Sequence, residues 1–241
     1  MTDSTATQDR SVQATVYTIL KNSIMSFQLK PGTVMSTQEI ATKLQVSRTP
    51  VREAFIRLQR DGLVDIFPQK ETIVSRIDLQ RVWQERFIRE ALECTVLDSV
   101  AANRTAENLA PLHANIEMQQ KVFAAGDYYE YMRLDNEFHH LLFTIGGQEL
   151  AWETVMDVSS HYARVRFIAV WTAQIMEKNI SQHQLLVSVV EEGSAEAART
   201  LMKKHLHQLE TEIKDIAVKY PDFFVSAENS NPARRDMLLS L

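Results

Sequence analysis

The sequence predicts a mostly α protein with an N-terminal winged helix-turn-helix followed by a C-terminal all-helical bundle, and three observations carry that prediction. Long tracts of Ala, Leu, Glu and Lys with only six glycines in 241 residues favour helix over sheet. Residues 36–64 read as two short helices around a tight turn, and the strand-like runs 63–67 and 72–76 follow them directly. From residue 78 onward, apolar residues recur at helical spacing through six segments separated by cap or breaker chemistry.

Length and composition fit one or two ordinary soluble domains, with 45% hydrophobic and 24% charged residues. We divide the chain into a polar, disordered stretch 1–10, a winged helix-turn-helix domain 11–77, a helical domain 78–220 and a loosely attached tail 221–241. Cys94 has no second cysteine to pair with, and the N-terminus MTDSTATQDR lacks the apolar core of a signal peptide, so a reducing cytoplasm is the expected location. No apolar run is long enough to span a membrane. Residues 1–76 carry ten Lys or Arg against seven Asp or Glu, net +3, while 77–241 carry sixteen against twenty-four, net −8. A basic head on an acidic body suits nucleic-acid contact confined to one end.

The opening helix is expected over 11–27, with Val12, Val16, Ile19, Leu20 and Ile24 as its buried stripe, and Pro31-Gly32 closes the connection after it. A second helix runs over 37–44 with Ile40, Ala41 and Leu44 at helical spacing, and Val46 fills the turn. Ser47 is placed to cap a third helix whose Val51, Ala54, Phe55 and Leu58 form its buried stripe, while Pro50 falls where a missing amide is tolerated. Arg48 and Arg52 lie four apart outside that stripe, with Thr49 beside them. An arginine fork takes guanine O6 and N7 together, or a phosphate, so this pair suits a recognition helix in a major groove; the plainer reading is a solvated helix face.

The stretch PGTVMSTQEIATKLQVSRTPVREAFIRLQRDGLV, with the hairpin LVDIFPQKETIVSRI after it, resembles the DNA-binding domain of GntR-family bacterial transcription regulators. The match covers roughly the first third of the chain, and SRTPVREA is its most specific part. The resemblance implies double-stranded operator DNA as partner, with Arg48, Thr49 and Arg52 as recognition-helix contacts and a wing beside the neighbouring minor groove. Ser47 and Gln38 join them as polar contacts, and Lys70 is the wing's expected donor, because Glu71, where the family often has Gly, is unfavourable beside phosphates.

The body is expected to hold helices over 78–103, 105–125, 127–145, 147–169, 173–192 and 194–219. At 100° steps, Asp135 and His139 fall inside the apolar arc of the third of these, with Leu134, Phe138 and Leu142. His183 falls at the centre of the fifth helix's stripe, and His205 shares a face with Ala198, Leu201 and Met202 on the sixth. One carboxylate and three imidazoles turned inward from three helices suit a divalent metal such as Zn, Ni or Mn. The competing readings are hydrogen-bonded core histidines and a simple Asp135–His139 pair.

Here LDNEFHHLLFTIGG and SQHQLLVSVVEEGSAEAARTLMKKHL resemble the two signature segments of the FadR-type (FCD) ligand-binding domain, with Gln182 where Glu is common and Gly147 where Asn is frequent. That resemblance implies a metal held by Asp135, His139, His183 and His205, a small organic-acid effector and a homodimer. Arg89, one turn from Glu93, reads either as an internal ion pair or as an effector ligand; of Arg164 and Arg166, flanking Tyr162, one at least is expected at the surface and either could enter the pocket. Trp83, Trp152 and Trp171 are expected to pack. The expected function is a metabolite-responsive regulator, a repressor, and not an enzyme. The alternative is a metal-dependent hydrolase or other metalloenzyme, against which stands the absence of a motif-placed general base.

Overall fold

A computed structural model describes residues 3–68, 70–170 and 173–226. The N-terminal unit is built from α1 (Asp3–Met25), β1 (Val34–Met35), α2 (Thr37–Leu44), α3 (Arg48–Arg60), β2 (Val64–Ile66) and β3 (Thr72–Val74). Helix α1 starts at Asp3, so the disordered stretch expected over 1–10 is helical from its third residue. Its buried face is Val16, Tyr17, Leu20 and Ile24, whereas Ile19 is 41% exposed, lying roughly a third of a turn off that face.

Local chemistry explains the two short helices. Ser36 caps α2 by accepting from the amide of Glu39, its third helical residue. Gln45, in the left-handed conformation at φ 55°, then ends the helix, and Val46 N–H returns to the carbonyl of Ala41. Ser47 does occupy the N-cap position of α3, but its side chain makes no capping bond, contrary to expectation. The third residue of α3 is Pro50, which has no amide to donate, so the usual partner of a serine cap is missing.

The sheet order is β1-β3-β2, all antiparallel, with Val34 opposite Ile73 and Val64 opposite Val74. Strand β1 was not anticipated, since two residues carry no alternation to read. Phe67 N–H to Glu71 O closes the wing turn. Val51, Phe55 and Leu58 of α3 join Leu20 and Ile24 of α1 and Val64 and Val74 of the sheet in one small core.

The C-terminal body consists of α4 (Leu79–Ala102), α5 (Ala106–Ala125), α6 (Tyr128–Ile145), α7 (Glu149–Asp157), α8 (Ser160–Val170), α9 (Ala173–Glu191), α10 (Ala195–His207) and α11 (Leu209–Lys219). Among the described residues eight helices therefore stand where six were expected, because two long segments are broken. Between α7 and α8 no glycine or proline intervenes. Instead Glu85 of α4 accepts from the amides of His161 and Tyr162 through one oxygen, at 2.8 Å each, and so caps α8 from another helix. Between α10 and α11 the chain tightens into i,i+3 bonds around Gln208. The break expected at Trp171-Thr172 lies outside the described residues.

The two units meet along a wide seam. Phe27, at φ 59°, turns its ring against Phe167 and Phe223, and Tyr129 OH donates to Asn22 O. The stretch after α11 was expected to be loosely attached. Up to residue 226 it is pinned instead: Ile77 donates to Phe223 O, Val225 donates to Ile77 O, and Phe224 is buried. No helix among the described residues is long and apolar enough to cross a membrane.

A candidate DNA-reading face and a buried histidine cluster

On α3, Arg48, Thr49 and Arg52 are exposed, as is Ser47 before them, while Pro50, Val51, Ala54 and Phe55 face the core. Gln38, on the first turn of α2, and Lys70, in the wing turn, are exposed too. Gln38, Arg48, Arg52, Lys70 and Glu71 line one groove between the two helices and the wing. Four donors and one carboxylate thus share this groove, while Ser47 and Thr49, also expected to touch DNA, are not among the residues that line it.

In the body, Asp135 and His139 from α6, His183 from α9 and His205 from α10 bring one ligand-type atom each to within 4.8 Å of one another. The first, second and third of these residues are at most 2% exposed. Every imidazole is held from behind at Nδ1: His139 by Glu93 Oε2 at 2.7 Å, His183 by Gln119 Oε1 at 3.0 Å and His205 by Gln182 Oε1 at 2.7 Å. These partners are acceptors, so each Nδ1 carries the proton and each Nε2 keeps its lone pair. For His183 the assignment runs back to the main chain. Asn115 Nδ2 donates to Leu134 O, Gln119 Nε2 donates to Asn115 Oδ1, and Gln119 Oε1 is left to accept from His183.

The inner faces are unsatisfied. His139 Nε2 and His183 Nε2 are buried without a hydrogen-bond partner, 4.0 and 3.8 Å from the two oxygens of Asp135. Two lone pairs facing a carboxylate repel each other unless a cation stands between them. Ligands that each sit about 2.1 Å from a shared ion are about 3 to 4 Å apart, so the donor set fits a metal. Burial depresses the pKa of His183 and His205 to about 3 each and pushes His139 well below its ordinary value, and the neighbouring cations add to this despite Asp135. Burial alone would raise the carboxyl of Asp135; the Arg166 guanidinium, joined by the imidazoles once acid protonates them, outweighs it and holds the group below its ordinary value.

Arg166 donates to Asp135 Oδ2 and, at 2.9 Å, to Asn136 Oδ1. It also borders a small cleft beside the cluster, lined by Asp135, His205, Tyr162, Asn179, Gln208 and Glu212 among others, with about 40 Å³ of free volume. Arg89 is not among the residues lining that cleft. Its Nε donates to Glu93 at 2.5 Å, the internal ion pair of the plainer reading, and it reaches His139 only through that carboxylate. Arg164 is also not at the surface, contrary to expectation for one of this pair: it is 0% exposed and donates to Ser75 O at 2.6 Å across the seam. Trp152 is buried and stacks on His140, and Trp83 packs partly on the core. Sequence reasoning missed Gln119 and Gln182 as the groups that hold His183 and His205, and it took Glu93 only as a partner of Arg89. The available signal was Asn115 and Gln119, one turn apart on the apolar stripe of α5 with Leu112 and Ile116.

A winged helix with two exposed arginines at the start of α3, joined to a helical body, defines a DNA-binding regulator. The chain belongs to the GntR family of bacterial regulatory proteins: residues 12–74 match that family's model and residues 86–208 match the FCD domain. It is 32% identical over 97% of its length to an HTH-type transcriptional regulator from an unstable DNA locus of Streptomyces ambofaciens, covering 98% of that protein. It is 31% identical over 88% of its length to the HTH-type transcriptional repressor RspR of Escherichia coli, covering 93% of it. Among solved structures, E. coli McbR/YncC superposes with a TM-score of 0.71 at 20% identity, over 87% of this chain and 98% of that one. A putative GntR regulator of Rhodococcus superposes with a TM-score of 0.72 at 22% identity, over 85% and 98%. The protein is a transcription regulator and not an enzyme, which sets the metalloenzyme alternative aside.

Proposed function

We propose that this protein is a metabolite-responsive repressor of the FadR type, working in the cytoplasm as a homodimer. In this reading residues 11–77 bind operator DNA and residues 78–220 bind a small organic acid beside a divalent metal, Zn, Ni or Mn. The observation that carries it is the pair of buried, unpartnered Nε2 lone pairs of His139 and His183 facing Asp135. Asp135, His139, His183 and His205 would hold the ion, which would supply open coordination positions for a carboxylate. The printed name of RspR, a repressor, supports the sign of regulation.

Arg48, Thr49 and Arg52 read base edges in the major groove, with Ser47, Gln38 and Lys70 on the backbone. One recognition helix reads only a few base pairs, so two copies on paired half-sites are the economical arrangement. Arg166 gives the chain a way to sense the acid. Its guanidinium grips Asp135 in the free cleft, and an incoming carboxylate competes for the same fork. Helix α8, which carries Arg166, also carries the seam contacts of Arg164 and Phe167, so a shift of α8 alters how the DNA-binding unit is held.

The deciding experiment measures operator binding by fluorescence anisotropy during titration with a panel of carboxylic acids, using metal-replete, chelated and His183→Ala protein. An acid that releases DNA from the metal-replete protein, with its affinity weakened in the other two, is the expected result. Equal affinity in all three for an acid that releases DNA would remove the metal from effector binding.

A further inference from the structure

Gln208 sits in the tightened turn between α10 and α11, three residues beyond His205. Its Oε1 and Nε2 are both closed off from solvent, and neither has a hydrogen-bond partner. Gln208 is also one of the residues that line the cleft holding Asp135, Arg166 and His205, with its carboxamide just behind the cleft surface. Buried polar atoms are almost always bonded, and a carboxamide needs an acceptor for its NH2 and a donor for its oxygen. Leaving both unmet where water does not reach them is costly.

The cleft therefore presents three kinds of chemistry. Arg166, Asp135 and His205 form a charged part, Met132, Val170, Ile175 and Leu209 an apolar wall, and Gln208 a neutral part that asks for a donor and an acceptor together. A hydroxyl or a carboxamide supplies both at once. A second carboxylate offers only acceptors and would also meet Glu212 on the same wall, while an ammonium offers only donors. We infer that Gln208 is the specificity-determining residue of the effector cleft, and that the effector is a monocarboxylic acid bearing a hydroxyl or carboxamide, which Gln208 reads. This inference rests on the effector reading proposed above.

The test is calorimetry on full-length, Zn-loaded protein with matched ligands: unbranched C3 to C6 monocarboxylates, and the same acids with a hydroxyl or a carboxamide at each position in turn. Wild type is expected to bind at least one substituted acid about tenfold or more tightly than its parent, because a site built around a hydrogen bond rejects the analogue that lacks it. In Gln208→Met that preference should shrink to within about twofold while the parent acid binds as well as before or better. In Gln208→Glu, which keeps acceptors and loses the donors, the preference should move toward the corresponding amino-substituted acid. If the acids bind and chelation weakens them, yet the preference survives in both variants or is absent from wild type, the role of Gln208 is overturned and the metal-and-acid reading stands. If no acid binds wild type, or chelation changes nothing, that reading falls and Gln208 falls with it. Should Gln208→Met fail to fold, the direction of the Gln208→Glu shift still decides the matter.

Discussion

Arg164 and Arg166 stand two residues apart on α8 and end in different parts of the molecule: Arg164 donates to Ser75 O, at the end of the wing sheet, and Arg166 donates to Asp135 in the histidine cluster. A two-residue step on a helix turns about 200°, so adjacent arginines of this kind leave opposite faces. One short helix thereby touches both units, through the buried guanidinium of Arg164 and the partly buried one of Arg166.

Arg164→Leu is expected to leave organic-acid affinity within about threefold of wild type and to weaken or abolish acid-dependent release of operator DNA, because the seam loses its charged tie while the cluster keeps Arg166. Calorimetry and anisotropy on the same preparation separate the two quantities. Normal DNA release by the variant would show that the tie to Ser75 does not transmit the signal.

Arg52→Ala should weaken specific operator binding by about 1 to 3 kcal/mol with fold and acid binding intact, since Arg52 is exposed on the groove-facing side of α3. Footprinting on the protein's own promoter region measures it, and unchanged protection removes Arg52 from base readout.

Lys70 and Glu71 share the tip of the wing and should act in opposite directions. Lys70→Ala lowers affinity evenly across operator variants and reduces the salt slope by roughly one counterion, while Glu71→Gly tightens binding. A salt titration in which Glu71→Gly binds no tighter than wild type would contradict this account of the wing.

Acid should unfold the metal-free protein through the cluster. His183 and His205 are lowered by burial from 6.5 to about 3, so the unfolded chain takes up protons that the folded chain refuses. Their stabilising contribution is complete above about pH 6.5 and is lost as pH falls toward 3, at roughly 1.4 kcal/mol per pH unit for each proton taken up. Asp135, held below its ordinary value, adds loss in the same direction at lower pH. Melting temperatures of chelated protein between pH 7.5 and 4.5 should fall steadily, and saturating Zn should raise them most at the upper end. A flat profile would mean that these imidazoles titrate alike in both states.

Gln119→Leu removes the acceptor that sets the tautomer of His183 without touching an inner-face atom. Metal affinity should drop about 10- to 100-fold, as for other groups that orient a ligand from behind. Competition with a chromophoric chelator reads the constant directly, and an unchanged value would mean His183 is oriented by its stacking on Phe138 alone.

What the sequence by itself determined is what local energetics encode. The 3.6-residue apolar period placed α3 and α6, and marked Arg48 and Arg52 as outward and Asp135 and His139 as inward. Periodicity states which face a side chain takes but not what that face meets. Only the tertiary structure decided that four inward groups converge within 4.8 Å, that Glu93, Gln119 and Gln182 stand behind the three imidazoles, and that α7 ends where Glu85, 76 residues before His161, caps the next helix. It also decided that Arg164 and Arg166, alike in sequence context, serve the seam and the cluster. Those outcomes depend on a carboxylate, amide or carbonyl delivered by a distant element, and the free energy of such a contact exists only once packing has put both partners out of water.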